Sequence, residues 1–257
     1  MFNLIDAHIH LDQYHDDEIQ SILNDSLGID FLITVSTDLN SCRRNLQLSK
    51  IFQKVKPSFG YHPEQPLPSD TEKQDLIDWI ENHLENMTAV GEVGLPYYLK
   101  KEGKVSVRQY EEYREWLSVF IQLAKKWKTP IALHAVYEDA SVVCDLLEKY
   151  SFVNAHFHWY KGDAKTTERM IENGYFISVT PEVVYKSKIQ TITKMYPIEQ
   201  IMVETDGPWP FEGPFKGKRT QPGMMQQAVK SIAEIKMLSE EKTARMLHQN
   251  TMKFYRL

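Results

Sequence analysis

The chain has 257 residues, 42% of them hydrophobic, and a formal net charge of −5. Its length suits one domain with a sizeable core, and its charge argues against coating duplex nucleic acid, which relies on many Lys and Arg contacts with phosphates. No run of about 18 apolar residues occurs, which predicts no membrane span. Cys42 and Cys144 are too few and too distant for a disulfide framework, and the apolar start Phe2–Ile5 leaves no room for a secretory signal. We therefore predict a single domain over residues 1–257, in the cytoplasm, with no membrane association and no obligate protein partner.

Short β-rich runs alternate with longer helical patterns along the whole chain. The predicted strands are Phe2–His10, Asp30–Ser36, Lys56–His62, Thr88–Leu95, Pro130–His134, Val153–His158, Tyr175–Thr180 and Ile201–Asp206. The predicted helices include Glu72–Asn86, Val107–Trp127, Ala140–Tyr150, Ala164–Asn173, Gly223–Met237 and Ser239–Phe254. Eight alternations predict an α/β fold of the (β/α)8 TIM-type barrel class. An open doubly wound sheet alternates in the same way, but no Gly-rich phosphate-binding turn follows the first strand.

The first predicted strand ends with two histidines, His8 and His10. Alternate residues of a strand point to the same face, so the two imidazoles lie about 7 Å apart on one side. Neutral imidazole is the commonest metal ligand in proteins. The pair therefore predicts one edge of a metal site whose other ligands would follow later strands.

Potential ligands do follow the later strands, and six of the nine histidines lie at strand ends. Catalytic groups of α/β barrels collect at this mouth because every strand delivers its last side chains there. Imidazole and carboxylate without thiolate suit Zn²⁺, Mn²⁺ or Fe²⁺, with Mg²⁺ less suited. A glutamate can bridge two ions, and two ions about 3.5–4 Å apart can activate water and clamp a phosphodiester in line. The candidate ligands at these strand ends are His8, His10, His62, Glu92, His134, His156, His158, Glu204 and Asp206.

Four motifs in chain order resemble those of the TatD-type metal-dependent deoxyribonucleases of the amidohydrolase superfamily. They are His8-Ile9-His10-Leu11-Asp12, Gly60-Tyr61-His62-Pro63, Gly91-Glu92-Val93-Gly94-Leu95 and Glu204-Thr205-Asp206-Gly207-Pro208, followed by Gly217-Lys218-Arg219 and Asn250. The resemblance spans essentially the whole chain. It implies one metal held by His8, His10 and Asp206, and a second held by His134 and His158, with Glu92 bridging both.

Three departures from the family pattern lie at the rim of the expected site. Pro96 stands where the glutamate motif usually continues with Asp. Ala135-Val136-Tyr137 replaces a small residue followed by Arg, and Trp159-Tyr160-Lys161 replaces a small residue, Phe and Ser or Thr. Because none of them is an expected ligand, the resemblance supports the metal chemistry more strongly than the substrate.

The remaining histidines are interpreted by position. We expect His62 to contact substrate or to support the ligands rather than to bind metal. His156 shares the face of His158 but lies one pleat deeper, which predicts a buried, hydrogen-bonded neighbour. His15, His83 and His248 lie away from the strand ends and are expected to be structural.

Aromatic and charged residues also collect near the strand ends. Tyr98 and Trp159 are candidates for stacking on nucleobases, although a hydrophobic rim that holds the loops together explains such aromatics equally well. Lys218 and Arg219 are candidates for phosphate binding, although charge runs are more often solvated surface. Acidic residues on the neighbouring loops leave the rim without a positive balance; they are Asp16, Asp17, Glu18, Glu64, Asp70, Glu138 and Asp139. We therefore expect a short or single-stranded DNA substrate rather than an extended duplex.

The sequence thus predicts a metal-dependent hydrolase, a deoxyribonuclease in which a hydroxide activated by two divalent ions attacks the phosphodiester. Glu92 and Asp206 are the predicted catalytic residues, with Asp206 both a ligand and the proton acceptor. An amidohydrolase acting on an amide, ester or lactone is the first alternative, because the same ion pair can polarise a carbonyl. A catalytically inactive, metal-bound component of a complex is the second.

Overall fold

Eight parallel strands form the centre of the computed structural model, which describes residues 2–25 and 28–257. They are β1 (Leu4–Ile9), β2 (Ile29–Thr34), β3 (Val55–Phe59), β4 (Ala89–Gly94), β5 (Ile131–His134), β6 (Ala155–Phe157), β7 (Phe176–Val179) and β8 (Ile201–Val203). Each strand pairs with the next one in the chain. Two backbone bonds join the ends of β8 and β1: the Asp206 N–H donates to the His8 carbonyl (2.9 Å) and the His10 N–H donates to the Gly207 carbonyl (2.8 Å). The predicted (β/α)8 barrel is confirmed.

Helices connect the strands and surround them. They are α1 (Asp16–Asp25), α2 (Leu39–Ile51), α3 (Asp70–Glu81), α4 (Tyr97–Lys101), α5 (Val107–Trp127), α6 (Glu138–Lys149), α7 (Ala164–Glu172), α8 (Ser187–Met195), α9 (Met225–Lys236) and α10 (Glu240–Tyr255). The Ser69 and Ser106 hydroxyls begin α3 and α5 with reciprocal capping boxes. Ser239 caps α10 by accepting from the Lys242 N–H (3.2 Å), as its place before the last helical pattern suggests.

The main hydrophobic core lies between the strands and the helices around them. A smaller cluster joins Ile5, Ile33 and Met202 to the end of α10, where Phe254 and Tyr255 are buried. The last helix therefore packs onto the barrel strands beneath the mouth. Among residues 2–25 and 28–257, no helix combines the length and apolar character needed to cross a membrane.

Candidate metal centre

All six predicted ligands meet at the carboxyl ends of the strands. His8, Glu92 and His134 lie in β1, β4 and β5, whereas His10, His158 and Asp206 follow β1, β6 and β8. All six side chains are buried, with residue exposures between 0% and 7%. Gly94 allows this convergence, because a Cβ at that position would collide with the His134 carbonyl and push β4 and β5 apart.

Glu92 lies at the centre of the cluster, and one of its oxygens faces the ligands from β1. Glu92 Oε2 is 3.1 Å from His8 Nε2 and 3.2 Å from His10 Nε2. Asp206 Oδ1 is 3.4 Å from both of these nitrogens. Two imidazoles and two carboxylate oxygens thus converge on one point.

The other Glu92 oxygen faces a second set of imidazoles. Glu92 Oε1 is 2.6 Å from His158 Nε2, 2.9 Å from His134 Nδ1 and 3.4 Å from His62 Nε2. His134 Nδ1 and His158 Nε2 are 3.2 Å apart. The two oxygens of one carboxylate therefore serve two separate groups of nitrogen donors.

The donor chemistry fits divalent cations. Ligand atoms of His8, His10 and Glu92 lie within 4.8 Å of one another, and so do those of His62, Glu92 and His134. Asp206 Oδ1 is buried without a hydrogen-bond partner and is directed at the first group. Burying so many polar groups is costly unless something pairs with them, and a cation would do so.

The local field favours positive charge at this centre. Burial alone would raise the pKa of the Glu92 carboxyl, but the imidazoles around it hold this pKa well below the usual range. Burial lowers the pKa of His8 to about 4, which keeps that imidazole neutral and able to bind metal. The neighbouring carboxylates outweigh burial at His134 and raise its pKa to about 9, and they raise the pKa of His10 well above its ordinary value. The same field that holds protons on these two imidazoles would attract a divalent cation.

Above the metal centre lies a cavity of about 420 Å³. Tyr98, Trp159 and Trp209 line it, and the Trp209 side chain is half exposed. The other aromatic residues at the strand ends divide differently, since Tyr97, Tyr160, Phe211 and Phe215 are buried and hold the loops together. The loop-holding interpretation thus applies to these four residues, whereas Tyr98 and Trp159 stay predicted stacking residues.

The predicted phosphate-binding cations lie away from this cavity. Arg219 donates from Nε and Nη2 to the two carboxylate oxygens of Glu18, at 2.8 and 3.0 Å. Lys218 is exposed, and neither residue lines the cavity in the part of the chain that the structure describes. Lys161 does line it, and burial lowers the pKa of this ammonium.

Residues 5–256 match the family described as TatD related DNase. The chain belongs to this family. A Haemophilus influenzae protein named an uncharacterized metal-dependent hydrolase is 39% identical over 258 residues, covering 99% of this chain and 100% of that protein. Human deoxyribonuclease TATDN3 is 28% identical, covering 98% and 94% of the two chains. The crystal structure of YjjV, a TatD homologue from Escherichia coli K12, has a TM-score of 0.88 at 24% identity and covers 99% and 98%.

The family and the ligand clusters together make this TatD protein a metal-dependent hydrolase. Its predicted ligands occupy the positions expected from the motifs, while the number of ions and the role of each ligand stay predictions. His62 is intermediate: its Nδ1 accepts from the Glu64 N–H (3.2 Å), whereas its Nε2 faces Glu92. It is therefore placed both to support the centre and to meet a substrate.

Glu64 is a residue of this TatD site that the sequence analysis placed only among the acidic rim residues. Its carboxylate accepts from the N–H groups of Tyr98 (2.8 Å) and Leu99 (2.9 Å) in α4. Its Oε1 also lies 3.4 Å from His134 Nε2, on the side of that ring opposite Glu92. Burial alone would raise the pKa of Glu64, but the contact with His134 lowers it below the ordinary value. Glu64 thus lies where it can orient His134 from outside the centre.

A buried hydrogen-bonded chain supports the His158 side of the centre. Glu204 accepts from the Trp159 N–H (2.6 Å) and the Ser178 hydroxyl (2.5 Å), and its Oε1 is 3.9 Å from His158 Nδ1. His156 joins the Ser178 hydroxyl (2.6 Å) to that of Tyr255 (2.7 Å). His156 is thus the buried neighbour that its pleat predicts. Glu204 is part of the Glu204-Thr205-Asp206 motif, but only the fold shows which residues it contacts.

Two of the family departures fall on strained backbone. Tyr137 and Trp159 have φ values of 53° and 38°, in the left-handed region that non-glycine residues rarely adopt. The Tyr137 N–H donates to the Lys161 carbonyl (2.5 Å), which joins the loops after β5 and β6. The substituted segments therefore form one connected side of the mouth.

Proposed function

We propose that this TatD protein hydrolyses phosphodiester bonds of single-stranded or short DNA with two divalent ions. The observation that carries the proposal is the position of Glu92, whose two oxygens face two different donor sets on the floor of an open cavity. A shared carboxylate of this kind is suited to two neighbouring cations.

His8, His10 and Asp206 would hold one ion, His134 and His158 the other, and Glu92 both. Bound divalent ions would lower the pKa of water and stabilise the negative charge that develops on phosphoryl oxygens. Asp206 is the proton acceptor for the attacking water: although burial opposes it, the contact with His10 lowers its pKa and keeps the carboxylate ionised. Its backbone at φ 52° directs it toward the His8 and His10 imidazoles.

The shape and charge of the mouth support the choice of substrate. A cavity of about 420 Å³ has room for about one nucleotide unit, and Tyr98 and Trp209 offer faces on which a base can stack. Glu64 and Glu102 also line the cavity, and their negative charges would repel a second strand. The name of human TATDN3, a deoxyribonuclease, agrees with DNA as substrate.

A metal-loaded cleavage assay tests the proposal. The protein, loaded separately with Zn²⁺ or Mn²⁺, should shorten a single-stranded oligonucleotide, and Glu92→Ala or Asp206→Ala should abolish this activity. Glu81→Ala, which removes an exposed carboxylate of α3, is the matched control and should cleave at the wild-type rate. Cleavage by both site variants at the wild-type rate would refute the mechanism.

The same preparation separates the alternatives. Faster turnover of amide, ester or lactone substrates than of oligonucleotides would identify an amidohydrolase. No turnover of either class by fully loaded protein would indicate a metal-bound component without catalysis.

A further inference from the structure

The cavity above the metal centre is strongly acidic for a site that is to accept DNA. Within residues 2–25 and 28–257, Lys161 is the one Lys or Arg that lines it. Apart from the histidines, the other charged residues that line the cavity carry carboxylates, and bound metal would neutralise the negative charge of two of them. These carboxylates are Glu64, Glu92, Glu102 and Asp206. A phosphate entering the cavity therefore meets a single fixed cation apart from the metal centre and its histidines.

The contacts of Lys161 hold its side chain in place. Its ammonium lies 3.8 Å from the centroid of the Trp159 ring, and the side chain is only 11% exposed. The Trp159 N–H is bound by Glu204, and the Lys161 carbonyl accepts from the Tyr137 N–H. Hydrogen bonds thus hold the segment at both ends, which lowers the entropic cost of ordering Lys161 when a ligand binds.

The ammonium also retains donors for a ligand. Its nearest carboxylate oxygen, Glu182 Oε2, is 3.6 Å away, which is an ion-pair distance but longer than a hydrogen bond. Glu182 is shared, because it also accepts from the Trp159 indole N–H (2.7 Å) and from the Lys186 ammonium. Two lysines against one glutamate leave a net positive charge on this side of the mouth.

We propose that Lys161 binds a phosphate oxygen of the DNA strand and is the main cationic determinant of substrate affinity in this protein. The inference rests on the proposed nuclease function. It replaces Lys218 and Arg219, which lie outside the cavity, by a residue that neither the predicted site nor the family motifs include. The adjacent Val136 lines the cavity without charge, so the loop after β5 supplies no competing cation.

Steady-state kinetics on a single-stranded oligonucleotide test the role of Lys161. Lys161→Gln should raise KM about 10-fold and leave kcat within about twofold, because the lost contact is a charge-assisted hydrogen bond to bound substrate. The slope of log(kcat/KM) against log salt should become shallower by about 0.7, the value for one phosphate contact on a single strand. Lys161→Arg should keep the wild-type slope. An unchanged KM and slope, or a fall in kcat alone, would overturn the proposal.

Lys165→Gln is the matched control, because Lys165 is an exposed lysine of α7 that is not among the residues lining the cavity in the described chain. It should keep the wild-type KM, and a KM increase equal to that of Lys161→Gln would show a general effect of net charge and overturn the proposal. Bis(p-nitrophenyl) phosphate carries only the scissile phosphate. A raised KM on it would place Lys161 at that phosphate, whereas an effect confined to the oligonucleotide would place it at a neighbouring one.

Binding separates this inference from the proposed function. Fluorescence anisotropy of a labelled oligonucleotide is measured with Asp206→Asn, alone and combined with Lys161→Gln. Weaker binding by the double variant supports the inference even if wild-type protein shows no turnover, a result that would refute only the nuclease function. Equal binding by both, with turnover present in the wild type, would refute the inference alone.

Discussion

Asp6 is expected to make the protein less stable as the pH rises, and replacing it by Asn should remove this effect. Its carboxylate, 0% exposed, accepts from the Thr205 N–H (2.9 Å), the Thr205 hydroxyl (2.5 Å) and the His8 N–H (3.2 Å). These contacts fasten the end of β8 to β1 and so place Asp206 beside His8. Burial nevertheless outweighs them and raises the pKa of Asp6 to about 7.

The folded protein binds the Asp6 proton over a wider pH range than the unfolded chain does. Above about pH 4 the unfolded chain has released the Asp6 proton, while the folded protein keeps it until about pH 7. The stabilising effect is therefore fully present below about pH 4 and is lost as the pH rises to about 7. One pKa unit corresponds to about 1.4 kcal/mol, so a shift of about three units amounts to about 4 kcal/mol. Asn keeps a carbonyl acceptor for Thr205 and does not ionise, so its contribution stays constant.

Urea unfolding of chelator-treated protein measures this difference between about pH 4.5 and 8. The free energy of unfolding of Asp6→Asn minus that of the wild type should rise with pH, by up to about 4 kcal/mol, and level off above about pH 7. Asp75→Asn, an exposed change on α3, should give a flat difference. A flat difference for Asp6→Asn as well would refute the reasoning, because it would show that Asp6 has the same pKa in the folded and unfolded states.

Three further predictions concern the centre and its supports. Zn²⁺ or Mn²⁺ at 100 times its Kd should stabilise chelator-treated wild-type protein by about 2.7 kcal/mol and raise its Tm by about 5–10 °C. Glu92→Gln should lose most of this stabilisation, and equal Tm shifts of the variant and the wild type in calorimetry would contradict a ligand shared by two ions. Glu64→Gln should weaken metal binding about 10-fold by titration, because His134 loses its orienting carboxylate, and wild-type affinity would exclude that role. Glu204→Ala should cost about 3 kcal/mol or more in urea unfolding because two buried donors lose their acceptor, while Glu204→Gln keeps an acceptor and should cost clearly less; equal losses would contradict this.

The barrel could be predicted because its periodicities are local. All eight strands occur where β-rich runs alternate with helical patterns, and α5 has the predicted bounds Val107–Trp127. The errors are at the ends, as in the eighth strand, which stops at Val203 rather than Asp206. Past Val203 the chain is no longer regular strand, although the Asp206 N–H still donates to the His8 carbonyl. Asp206 takes a left-handed conformation that no strand pattern contains. The overshoot thus falls on the segment that carries a predicted ligand.

Residues outside the strands were harder to place, because their partners are distant in sequence. Arg219 follows a strand end in the chain, yet it pairs with Glu18, 201 residues away. Glu64 looks like any acidic loop residue until the fold brings α4 and His134 to it. No local sequence pattern indicates such pairings. The position of a charged residue near a strand end therefore does not predict whether its side chain faces the cavity.

Family likeness extends further for the predicted metal ligands than for the loops around the cavity. The six predicted ligands lie on strands or within three residues of them, so the barrel itself positions them and the family motifs locate them. Under the proposed function, substrate recognition would depend on the connected loops after β5 and β6, where Val136 and Lys161 line the cavity. Likeness to TatD relatives therefore supports a hydrolytic metal centre in this protein. Its preference among substrates has to be inferred from the residues of the loops. Because Lys161 supplies the fixed lysine charge lining the mouth in the described chain, measuring its contribution is the most direct way to learn what the centre acts on.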